Sequence, residues 1–595
     1  MAARLVVFRI MLVAAFALIF VRLSQLQVVE GARNRQLAEE NRIRVVRRLA
    51  PRGTIYDREG RVLATSRLAF SVCVVPQDLQ SNGLSQPVEE LAALLAVPPE
   101  ELLSRLAATE EMSREPVVVW RDAGSDVVAR VEEHSVYLDG LSIVADAVRQ
   151  YPNGSLAAHL LGYVRETSGE ELSAPENVDY RPGDLIGKSG IERIAEAALR
   201  GIDGGDQIEV DARGRRVRTL GTVPATPGQD VWLTLDLELQ RAAAEALGSR
   251  AGAVVALDPW TGEVLAMESH PAYDPNIFAS ALSSAEWRQL SGPERPQRNR
   301  ATTSRYEPGS LFKLITAAAA LEAGVCNIRS SFHCDGAFSL GDWRLRCWKR
   351  EGHGNIDFLH GFAQSCNVMF VSLGRGVGPE RLAEMARRFG LGEATGFDLP
   401  PEAEGLVPSP RWKRRARGQS WYPGDTCQMA VGQGDCLVTP LQMARAFAVI
   451  ANGGRLVRPH VVRRTEGRGA PQTGLEGTEV GLRPETIAAL RTAMEAVVAP
   501  GGTAQSIATA KYAMAGKTGT AQNPQGEPHA WFAGYAPAER PKLVVAVVVE
   551  NAGQGSVVAA PVARHVFDAA LLPPAERAAW PASHPPHEVL VDAQE

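Results

Sequence analysis

The chain has 595 residues, a length that indicates several domains rather than one core. Hydrophobic residues make up 45% of it and charged residues 22%, ordinary globular values that argue against collagen, wholesale disorder and a multi-span membrane protein. Its 63 Lys and Arg against 68 Asp and Glu give a net charge of -5, so the basic surface that nucleic-acid binding needs is missing and no nucleic acid is expected as a partner.

The cations of this chain are mostly arginine, with 56 Arg against 7 Lys. Arginine does not deprotonate in proteins, whereas a desolvated lysine can act as a base. Each position that keeps lysine is therefore a candidate for proton transfer.

The first 30 residues contain one strongly apolar segment. Residues 10–29 have about the length that a helix needs to cross a bilayer, and Arg9 and Arg22 can extend toward the two interfaces. Because no small-residue cleavage site follows, we predict an uncleaved transmembrane anchor at 10–29 after a cytoplasmic N-terminus at 1–9, rather than a removed secretory signal. The arginines leave the orientation open, since more of them follow the span than precede it.

Residues 30–227 mix short strand-like runs at 71–75 and 117–120 with a helical patch at 88–96. They predict an extended α+β module without a nucleotide loop or a metal cluster, which would serve as a spacer or a docking platform. Pro, Thr and Gly then cluster at 224–228 and mark a domain boundary.

Residues 228–570 are predicted to form one α/β domain, because strand patterns lie at both ends of a helical middle. The first helix is expected at 237–247, and 253–267 is expected to form a β-hairpin. The continuous apolar run at 543–549 fits a central strand. The proline-rich residues 571–595 predict a flexible tail.

Ser310 precedes an almost wholly apolar run that predicts a buried helix over 311–323. Lys313 lies three residues on, so both side chains are on one face of the helix, one turn apart. A helix N-terminus offers free N–H groups and the positive end of the dipole, and a serine there beside a buried lysine fits a nucleophile with its base. The plainer alternative is a capping serine with a lysine that extends into solvent. This Ser-x-x-Lys occurs once in the chain.

Two further triplets each occur once. Ser365-Cys366-Asn367 lies in a stretch, 358–373, that is predicted to be helical. Lys517-Thr518-Gly519 keeps another rare lysine, and glycines on both sides of the Lys-Thr pair predict a strand edge that a ligand backbone can approach closely.

The three motifs resemble those of the penicillin-recognising serine acyltransferases. Five other segments resemble class B penicillin-binding proteins, and the whole set is most similar to the elongation-specific penicillin-binding protein 2 group: residues 51–60, 187–193, 233–236, 273–276 and 432–434. This resemblance implies an α/β serine transpeptidase fold, with an antiparallel sheet and helices on both faces, after an elongated α+β pedestal and one N-terminal transmembrane helix.

The same resemblance implies a peptidoglycan D,D-transpeptidase that cross-links stem peptides through a serine acyl-enzyme and releases D-alanine. Its context would be lateral wall synthesis and cell-shape maintenance, and β-lactams would be its inhibitors. No catalytic cofactor is implied. The residues that the resemblance places in catalysis are Ser310, Lys313, Ser365, Asn367 and Lys517, and those that it places in substrate binding are Thr518, Gly519 and Thr520.

The resemblance further implies a single-pass protein of the cell inner membrane with its catalytic domain in the periplasm. The resemblance also implies a SEDS-family glycan polymerase and other elongation-complex proteins as partners. The sequence shows no polymerase module, so some partner must make the glycan. The ten arginines between 33 and 67 leave three uses open: contact with anionic lipid, contact with that polymerase, or a solvated surface. Two other functions also stay open, a catalytically idle β-lactam-binding sensor or scaffold and a hydrolase such as a D,D-carboxypeptidase.

Four residues near the second motif have the chemistry of a metal site: Cys334, Cys347, His353 and Cys366. Three thiolates and an imidazole complete a tetrahedral structural zinc shell, although the Cys-x12-Cys-x5-His-x12-Cys spacing matches no common zinc finger. The resemblance adds that some members of the group carry zinc near the active site. Disulfides or buried thiols are the alternatives.

The glycines that flank His353 favour a tight loop around an ion, and Asp335 and Asp342 are substitute ligands. On a continuous helix Cys366 would point about 100° away from Ser365, so that a metal would brace the catalytic helix from behind. Cys427 and Cys436 flank a Gly-Gln-Gly turn and are candidates for a disulfide. Cys73 and Cys326 are predicted to be buried and to pack as hydrophobic residues, as free cysteines often do.

Overall fold

The computed structural model describes residues 2–577 apart from 33–42, 77–84, 96, 108–115, 136, 139, 178, 211–215, 280–283, 467–476 and 524–525. Most of the predicted flexible tail, at 578–595, and part of the arginine-rich run, at 33–42, therefore lie outside the described residues.

The helices before residue 300 are α1 Ala2–Ser24, α2 Ser85–Leu95, α3 Pro99–Ala107, α4 Ser125–His134, α5 Ala158–Leu161, α6 Gly169–Leu172, α7 Gly190–Ile194, α8 Glu196–Leu199, α9 Leu237–Leu247 and α10 Ser284–Leu290. Those after it are α11 Lys313–Glu322, α12 Phe358–Ala363, α13 Asn367–Val377, α14 Pro379–Arg388, α15 Pro410–Arg417, α16 Pro423–Ala430, α17 Pro440–Ala451, α18 Pro484–Val498 and α19 Ala559–Leu571.

The strands before residue 300 are β1 Ile43–Arg48, β2 Ile55–Tyr56, β3 Val62–Val74, β4 Val117–Trp120, β5 Leu141–Gln150, β6 Val164–Glu166, β7 Leu185–Gly187, β8 Gly204–Val210, β9 Arg216–Val223, β10 Val231–Leu233, β11 Gly252–Leu257 and β12 Val264–His270. Those after it are β13 Ser331–Cys334, β14 Ala337–Leu340, β15 Trp343–Arg346, β16 Gly354–Asp357, β17 Arg455–Leu456, β18 Val462–Thr465, β19 Thr478–Glu479, β20 Ala515–Ala521, β21 His529–Ala536 and β22 Leu543–Val549.

The N-terminal helix α1 continues as a π-helical turn over Gln25–Val29. Residues Val6–Val29 are long and apolar enough to cross a membrane, and none of their most apolar stretch is buried against the rest of the chain. This helix fits the predicted single-pass anchor. It begins at Ala2, so most of the segment predicted as a separate N-terminus is continuous with the span.

The pedestal is built on the long strand β3, which pairs antiparallel with β5 along most of its length and with β4 at its end. Helices α2, α3 and α4 cover this sheet and share a small apolar core with it. The predicted run at 71–75 is the end of a longer strand than expected, whereas 117–120 is confirmed as β4.

Strand β10 joins the pedestal to the C-terminal domain within one sheet. It pairs in parallel with β2 of the pedestal and antiparallel with β18 of the C-terminal domain. The predicted boundary at 224–228 lies directly before this strand, so the two parts are joined by backbone hydrogen bonds as well as by the chain.

The arginine-rich run is folded into this part of the molecule. Each arginine in it whose side chain the structure describes pairs with a carboxylate: Arg47, Arg48, Arg52, Arg58, Arg61 and Arg67. These arginines therefore have an internal structural role, which the sequence analysis did not consider.

The C-terminal domain is centred on a five-stranded antiparallel sheet in the order β12-β11-β22-β21-β20. Helices α9 and α19 pack against each other and this sheet, and α17 packs against its three middle strands. The predicted hairpin, the helix at 237–247 and the central position of 543–549 are all confirmed. The all-buried pattern of β22 follows from its place between two strands and two helical layers.

Candidate active site

Ser310 lies in a tight 3-10 turn, Gly309–Phe312, that leads directly into α11. Its side chain is half-buried, while Leu311 and Phe312 are completely buried and hold the turn in the core. The predicted position at a helix N-terminus is therefore confirmed, and this first turn carries N–H groups that have no intrahelical acceptor.

The Ser310 turn lies directly against strand β20. A Cβ atom on Gly309, which has φ +53°, would lie only 2.9 Å from the carbonyl oxygen of Thr520. Likewise, a Cβ on Gly519 would lie 3.3 Å from the carbonyl oxygen of Pro308. Glycine at both positions thus allows the nucleophile turn and the Lys-Thr-Gly strand to approach backbone to backbone.

Lys313 is completely buried in the first turn of α11. Its Nζ lies 2.8 Å from the carbonyl oxygen and 3.0 Å from the Oγ of Ser365, and 2.6 Å from Oδ1 of Asn367. All three partners are uncharged. Burial lowers the pKa of Lys313 to about 8, although the nearby thiols of Cys347 and Cys366 act in the opposite direction.

The prediction of one continuous helix over 358–373 is wrong. Helix α12 ends at Ala363 and α13 begins at Asn367, and Ser365 between them adopts φ +57°. The left-handed conformation of Ser365 ends the first helix. This conformation is energetically costly for a non-glycine residue, and residues that adopt it cluster at functional sites. Cys366 is extended, so the argument that it points about 100° from Ser365 around a helix also fails.

The break allows both polar residues of the second motif to contact Lys313. Ser365 presents its carbonyl oxygen and its hydroxyl to Lys313. Asn367 uses Oδ1 toward Lys313, while its Nδ2 donates to the carbonyl oxygen of Arg346 at 3.0 Å. The side-chain amide is therefore oriented by two opposite bonds.

Strand β20 is the edge strand of the sheet, as predicted for the third motif. Lys517 is completely buried, and burial, followed by the nearby charge of Lys313, lowers its pKa well below the ordinary lysine value. Thr518 is mostly buried, whereas Thr520 is exposed. The structure thus brings the three motifs together as the sequence predicted.

Thr503 is a site residue that the sequence analysis missed. The Thr518 and Thr503 hydroxyl oxygens lie 2.7 Å apart, and the Thr503 backbone N–H donates to the carbonyl oxygen of Ala363 at 3.2 Å. Thr503 therefore ties the Lys-Thr-Gly strand to the end of α12, two residues before Ser365. Its only sequence signal is the preceding Gly501-Gly502 pair.

A second missed group supports the Ser310 turn from the side. Glu550 accepts hydrogen bonds from the Tyr306 hydroxyl at 2.7 Å and from Nε of Arg300 at 3.1 Å. The ring of Tyr306 packs edge-on against Trp531, which pairs with Gly519 across β20 and β21. The segment before Ser310 and the third motif are therefore fixed by one side-chain cluster.

The predicted metal ligands do converge. One donor atom from each of Cys334, Cys347, His353 and Cys366 lies within 4.8 Å of the other three. The Cys347 Sγ to His353 Nδ1 distance is 3.6 Å. A tetrahedral zinc ion with bonds of about 2.3 Å to sulfur and 2.0 Å to nitrogen would place these atoms roughly 3.6 Å apart.

The surroundings of the cluster favour a thiolate at Cys347 and a neutral thiol at Cys366, because the hydrogen bond between them raises the pKa of Cys366. A hydrogen bond with Cys366 lowers the pKa of the Cys347 thiol to about 4. Gly352 is required by the loop, because a Cβ there would lie 2.2 Å from the carbonyl oxygen of Cys334. Among the described residues the cluster contains neither Asp335 nor Asp342, so these substitute ligands are not needed.

All seven cysteines are free thiols, and all seven are buried. The candidate disulfide between Cys427 and Cys436 is therefore not formed. Both side chains are buried among apolar neighbours beside the Gly432–Gly434 turn rather than facing each other across it as a bonded pair. Cys73 and Cys326 are buried, as expected of hydrophobic cysteines.

Comparison with known proteins identifies the family. Residues 252–568 match the penicillin binding protein transpeptidase domain, and residues 47–233 match the penicillin-binding protein dimerisation domain. The peptidoglycan D,D-transpeptidase MrdA of Acinetobacter baumannii is 35% identical over 95% of this chain and 86% of its own length. The chain belongs to the penicillin-binding protein 2 (MrdA) family. The Escherichia coli MrdA is 32% identical over 90% of this chain and 89% of its own length.

Solved structures of this family have the same fold. Pseudomonas aeruginosa PBP2 in complex with WCK 5153 matches with a TM-score of 0.69 and 33% identity over 90% of this chain and 98% of that one. The Helicobacter pylori PBP2 complex with MreC has a TM-score of 0.74 at 28% identity, over 88% of this chain and 98% of that one. A peptidoglycan synthase complex that coordinates polymerization and crosslinking has a TM-score of 0.68 at 34% identity, over 95% of this chain and 98% of that one.

Membership confirms the transpeptidase fold and the enzyme class that the motifs predicted. The protein is a class B penicillin-binding protein and a peptidoglycan D,D-transpeptidase. Transpeptidases of this type need no catalytic cofactor.

Proposed function

We propose that Ser310 is the acylated nucleophile of this transpeptidase and Lys313 its base. The observation that carries this assignment is the Lys313 amine, which is completely buried, has only uncharged partners and lies one turn from Ser310. An amine in this environment exists in its neutral form near neutral pH far more often than an exposed lysine does.

The hydrogen bonds of Lys313 are compatible with both protonation states. An ammonium donates three bonds, which matches the three oxygens around Nζ. A neutral amine donates two, to the carbonyl oxygens of Ser365 and Asn367, and uses its lone pair to accept from a hydroxyl. Ser365 Oγ can serve as that hydroxyl, so it connects Lys313 to the cleft as a proton relay.

In the first half of the reaction Ser310 Oγ bonds to the carbonyl carbon between the two terminal D-alanines of a stem peptide. Its proton passes to Lys313 Nζ. The C–N bond to the last residue then breaks and the proton moves to that nitrogen, so D-alanine leaves and an ester remains on Ser310.

The negative charge that develops on the carbonyl oxygen is placed between two backbone donors, the N–H groups of Ser310 and Thr520. The direct contact between the Ser310 turn and β20 supports this arrangement. Lys517, Thr518 and Thr520, with Gly519 giving close access, bind the terminal carboxylate of the stem peptide or of a β-lactam. Asn367 holds the substrate amide.

In the second half an amino group of a neighbouring stem peptide attacks the ester carbon. It loses one proton to the base, Ser310 Oγ leaves and regains a proton, and the new amide is the cross-link. Both halves use the same groups in reverse order, so no further catalytic residue is required.

The cellular context is inferred from the relatives. A structure title pairs Helicobacter pylori PBP2 with MreC, and another describes a synthase that combines polymerization with crosslinking. We infer elongation-complex partners and a separate SEDS-family glycan polymerase for this chain, in lateral wall synthesis and cell-shape maintenance. The pedestal at 30–227 and the transpeptidase domain at 228–570 would then lie in the periplasm, with the anchor in the inner membrane. Protease treatment of intact spheroplasts should digest both domains but spare the anchor.

We also propose that Cys334, Cys347, His353 and Cys366 hold a structural zinc ion. The donor set and the 3.6 Å sulfur–nitrogen distance support it. Bound zinc would fix Cys366 and thereby support the left-handed conformation of Ser365 next to it. Elemental analysis should give one zinc per purified chain and markedly less in Cys334→Ser, whereas Cys326→Ser should keep it. Equal zinc contents in the two variants would contradict the site.

Labelling with a fluorescent penicillin tests the nucleophile. The wild-type chain should form a covalent adduct and Ser310→Ala should form none, while Ser304→Ala labels normally. Adduct formation by Ser310→Ala would end the assignment. Cross-linking of polymerised lipid-linked substrate, with mass analysis of the products, then separates a transpeptidase from an idle sensor, which makes no product, and from a carboxypeptidase, which only trims D-alanine.

A further inference from the structure

Helix α15 is an exception to the charge balance of the chain. Its eight residues contain five cations and no acidic residue: Arg411, Lys413, Arg414, Arg415 and Arg417. The chain as a whole carries a net charge of -5.

Two of these cations fasten the helix to its surroundings. Lys413 is mostly buried, and its Nζ lies 2.6 Å from Oδ2 of Asp425 on α16. Arg417 pairs with Asp435 and lies over the ring of Trp412. The other three, Arg411, Arg414 and Arg415, are exposed, and none has a carboxylate within 4.0 Å in the part of the chain that the structure describes.

Helix stability alone does not explain the placement of Arg411 beside Arg414 and Arg415. Arg411 faces Arg414 and Arg415 at the i,i+3 and i,i+4 positions, where like charges destabilise a helix. The helix dipole favours cations in the last turn, but Arg411 is in the first turn, where a cation is unfavourable. The helix is instead stabilised at its ends, by the Ser409 cap that accepts from the N–H of Trp412 and by Gly418.

Helix α15 is connected on two sides to segments that contact the active site. The segment that holds Asp435, the partner of Arg417, also contains Gly432, whose carbonyl oxygen accepts from the N–H of Gly309 beside the nucleophile. On the other side, a Cβ on Gly424 of α16 would lie 3.9 Å from the ring of Trp343 in β15. Strand β15 ends at Arg346, the carbonyl partner of Asn367.

We propose that Arg411, Arg414 and Arg415 bind the carboxylate groups of the peptidoglycan strand that enters the cleft. This inference rests on the proposed function. Each stem peptide ends in a carboxylate, and only one of these can occupy the Lys517-Thr518-Gly519 site at a time. The remaining carboxylates of the strand form a row of negative charges, and the arginine guanidinium group matches carboxylate geometry in two parallel hydrogen bonds. Binding there would relieve the repulsion within α15.

The test compares two charge reversals of equal size. Arg411→Glu/Arg415→Glu changes the proposed surface. Arg540→Glu/Lys542→Glu changes two exposed cations in the loop between β21 and β22, at the Ala515 end of β20 rather than the Thr520 end. The probe is a glycan strand whose stem peptides lack the last D-alanine and so cannot react, together with the same strand after amidation of its carboxylates.

The dissociation constant of the acidic strand should rise roughly tenfold in Arg411→Glu/Arg415→Glu, since two weak exposed pairs are replaced by repulsion, and should stay unchanged in the control. Added salt should weaken wild-type binding and reduce this difference. The amidated strand should bind all three proteins alike. The rate of acylation by a small penicillin, which carries no strand, should be the same in all three.

Equal affinities of the acidic strand for all three proteins would overturn the inference, as would an equal loss with the amidated strand. Vesicles of anionic phospholipid provide a second arm: a loss of vesicle binding in Arg411→Glu/Arg415→Glu without a loss of strand binding would make α15 a membrane contact and also overturn it. Failure of the proposed function has a different signature, because penicillin would then leave Ser310 unlabelled in every protein.

Discussion

The pedestal and the active site both bury cations, but the hydrogen-bond partners of these cations are charged in the pedestal and uncharged in the active site. In the pedestal, Arg52 and Arg149 surround the fully buried carboxylate of Glu192, at 2.9 and 2.6 Å. Burial alone would raise the pKa of Glu192, but the two guanidinium groups outweigh it and lower the pKa. In the active site, Lys313 and Lys517 are equally buried, and the hydrogen bonds that the structure describes for them go to uncharged oxygens rather than to carboxylates.

This difference separates a structural charge from a reactive one. A buried ion pair is locked in its charged state, and its removal leaves a partner uncompensated. A buried lysine without a carboxylate is instead poised to lose its proton, which is what a base requires. The choice of residue agrees, because arginine cannot exchange its proton and lysine can.

Lys313→Arg gives the sharpest form of this comparison. The substitution keeps a cation but removes the ability to accept a proton, so the rate of acylation by a fluorescent penicillin should fall by roughly 10²- to 10⁴-fold. The control is Lys413→Arg, which replaces a lysine that is also buried but has a carboxylate partner. It should acylate at the wild-type rate. Equal rates for Lys313→Arg and the wild type would exclude Lys313 as the base.

Glu192→Gln tests the buried ion pairs of the pedestal. It leaves two buried guanidinium groups without their shared carboxylate, and the free energy of unfolding in urea should decrease by about 3–5 kcal/mol. Glu196→Gln is the milder control, because Glu196 is partly exposed and pairs with Arg52 alone among these arginines. The acylation rate of the folded fraction should not change in either variant. A smaller loss for Glu192→Gln than for Glu196→Gln would contradict the structural role.

The pH dependence of acylation should report the reactive lysine. Burial lowers the pKa of Lys313 to about 8, and only the neutral amine can accept the Ser310 proton. The rate should therefore be constant above this pH and decrease about tenfold for each unit below it, as the neutral fraction does. Stopped-flow measurement of penicillin acylation, with circular dichroism to verify folding at each pH, provides the profile. A rate that stays flat down to pH 5 would remove Lys313 from this role.

The smallest effect is expected at Thr503, which touches neither lysine. Thr503→Val keeps the shape of the side chain but removes the hydroxyl that bonds to Thr518. Loss of one such bond costs about 0.5–1.5 kcal/mol, so the acylation rate should fall roughly two- to tenfold. Thr503→Ser keeps the hydroxyl and should retain most of the wild-type acylation rate. If valine and serine behave alike, the hydroxyl bond does not position the strand.

The sequence predicted those parts of the fold that depend on local patterns. The apolar run of β22, the Asp236-capped helix α9 and the β11–β12 hairpin all follow from periodicity and turn residues. The three motifs could also be assigned, because each occurs once and two of them retain a rare lysine. The convergence of Cys334, Cys347, His353 and Cys366 could also be predicted, because the chain has few other cysteines.

The failures share a different cause. Nothing in the local sequence shows that Ser365 takes a left-handed conformation, because serine does so only when tertiary contacts impose it. The role of Thr503 depends on a partner in another element, Thr518, and threonine is too common to attract notice. The arginines near residue 50 find carboxylates more than a hundred residues away, as Arg52 does with Glu192, and composition alone could not reveal these pairs.

The three residues of β10 are one route by which load can pass between the two halves of the molecule, beside the apolar core that they share. This short strand is hydrogen-bonded to β2 on one side and to β18 on the other. The pedestal and the catalytic domain are therefore joined by backbone hydrogen bonds rather than by a flexible linker alone. Tension between bilayer and wall would act on these bonds in shear, along the strands. Cutting the gene between the two halves would leave a bare strand edge on each.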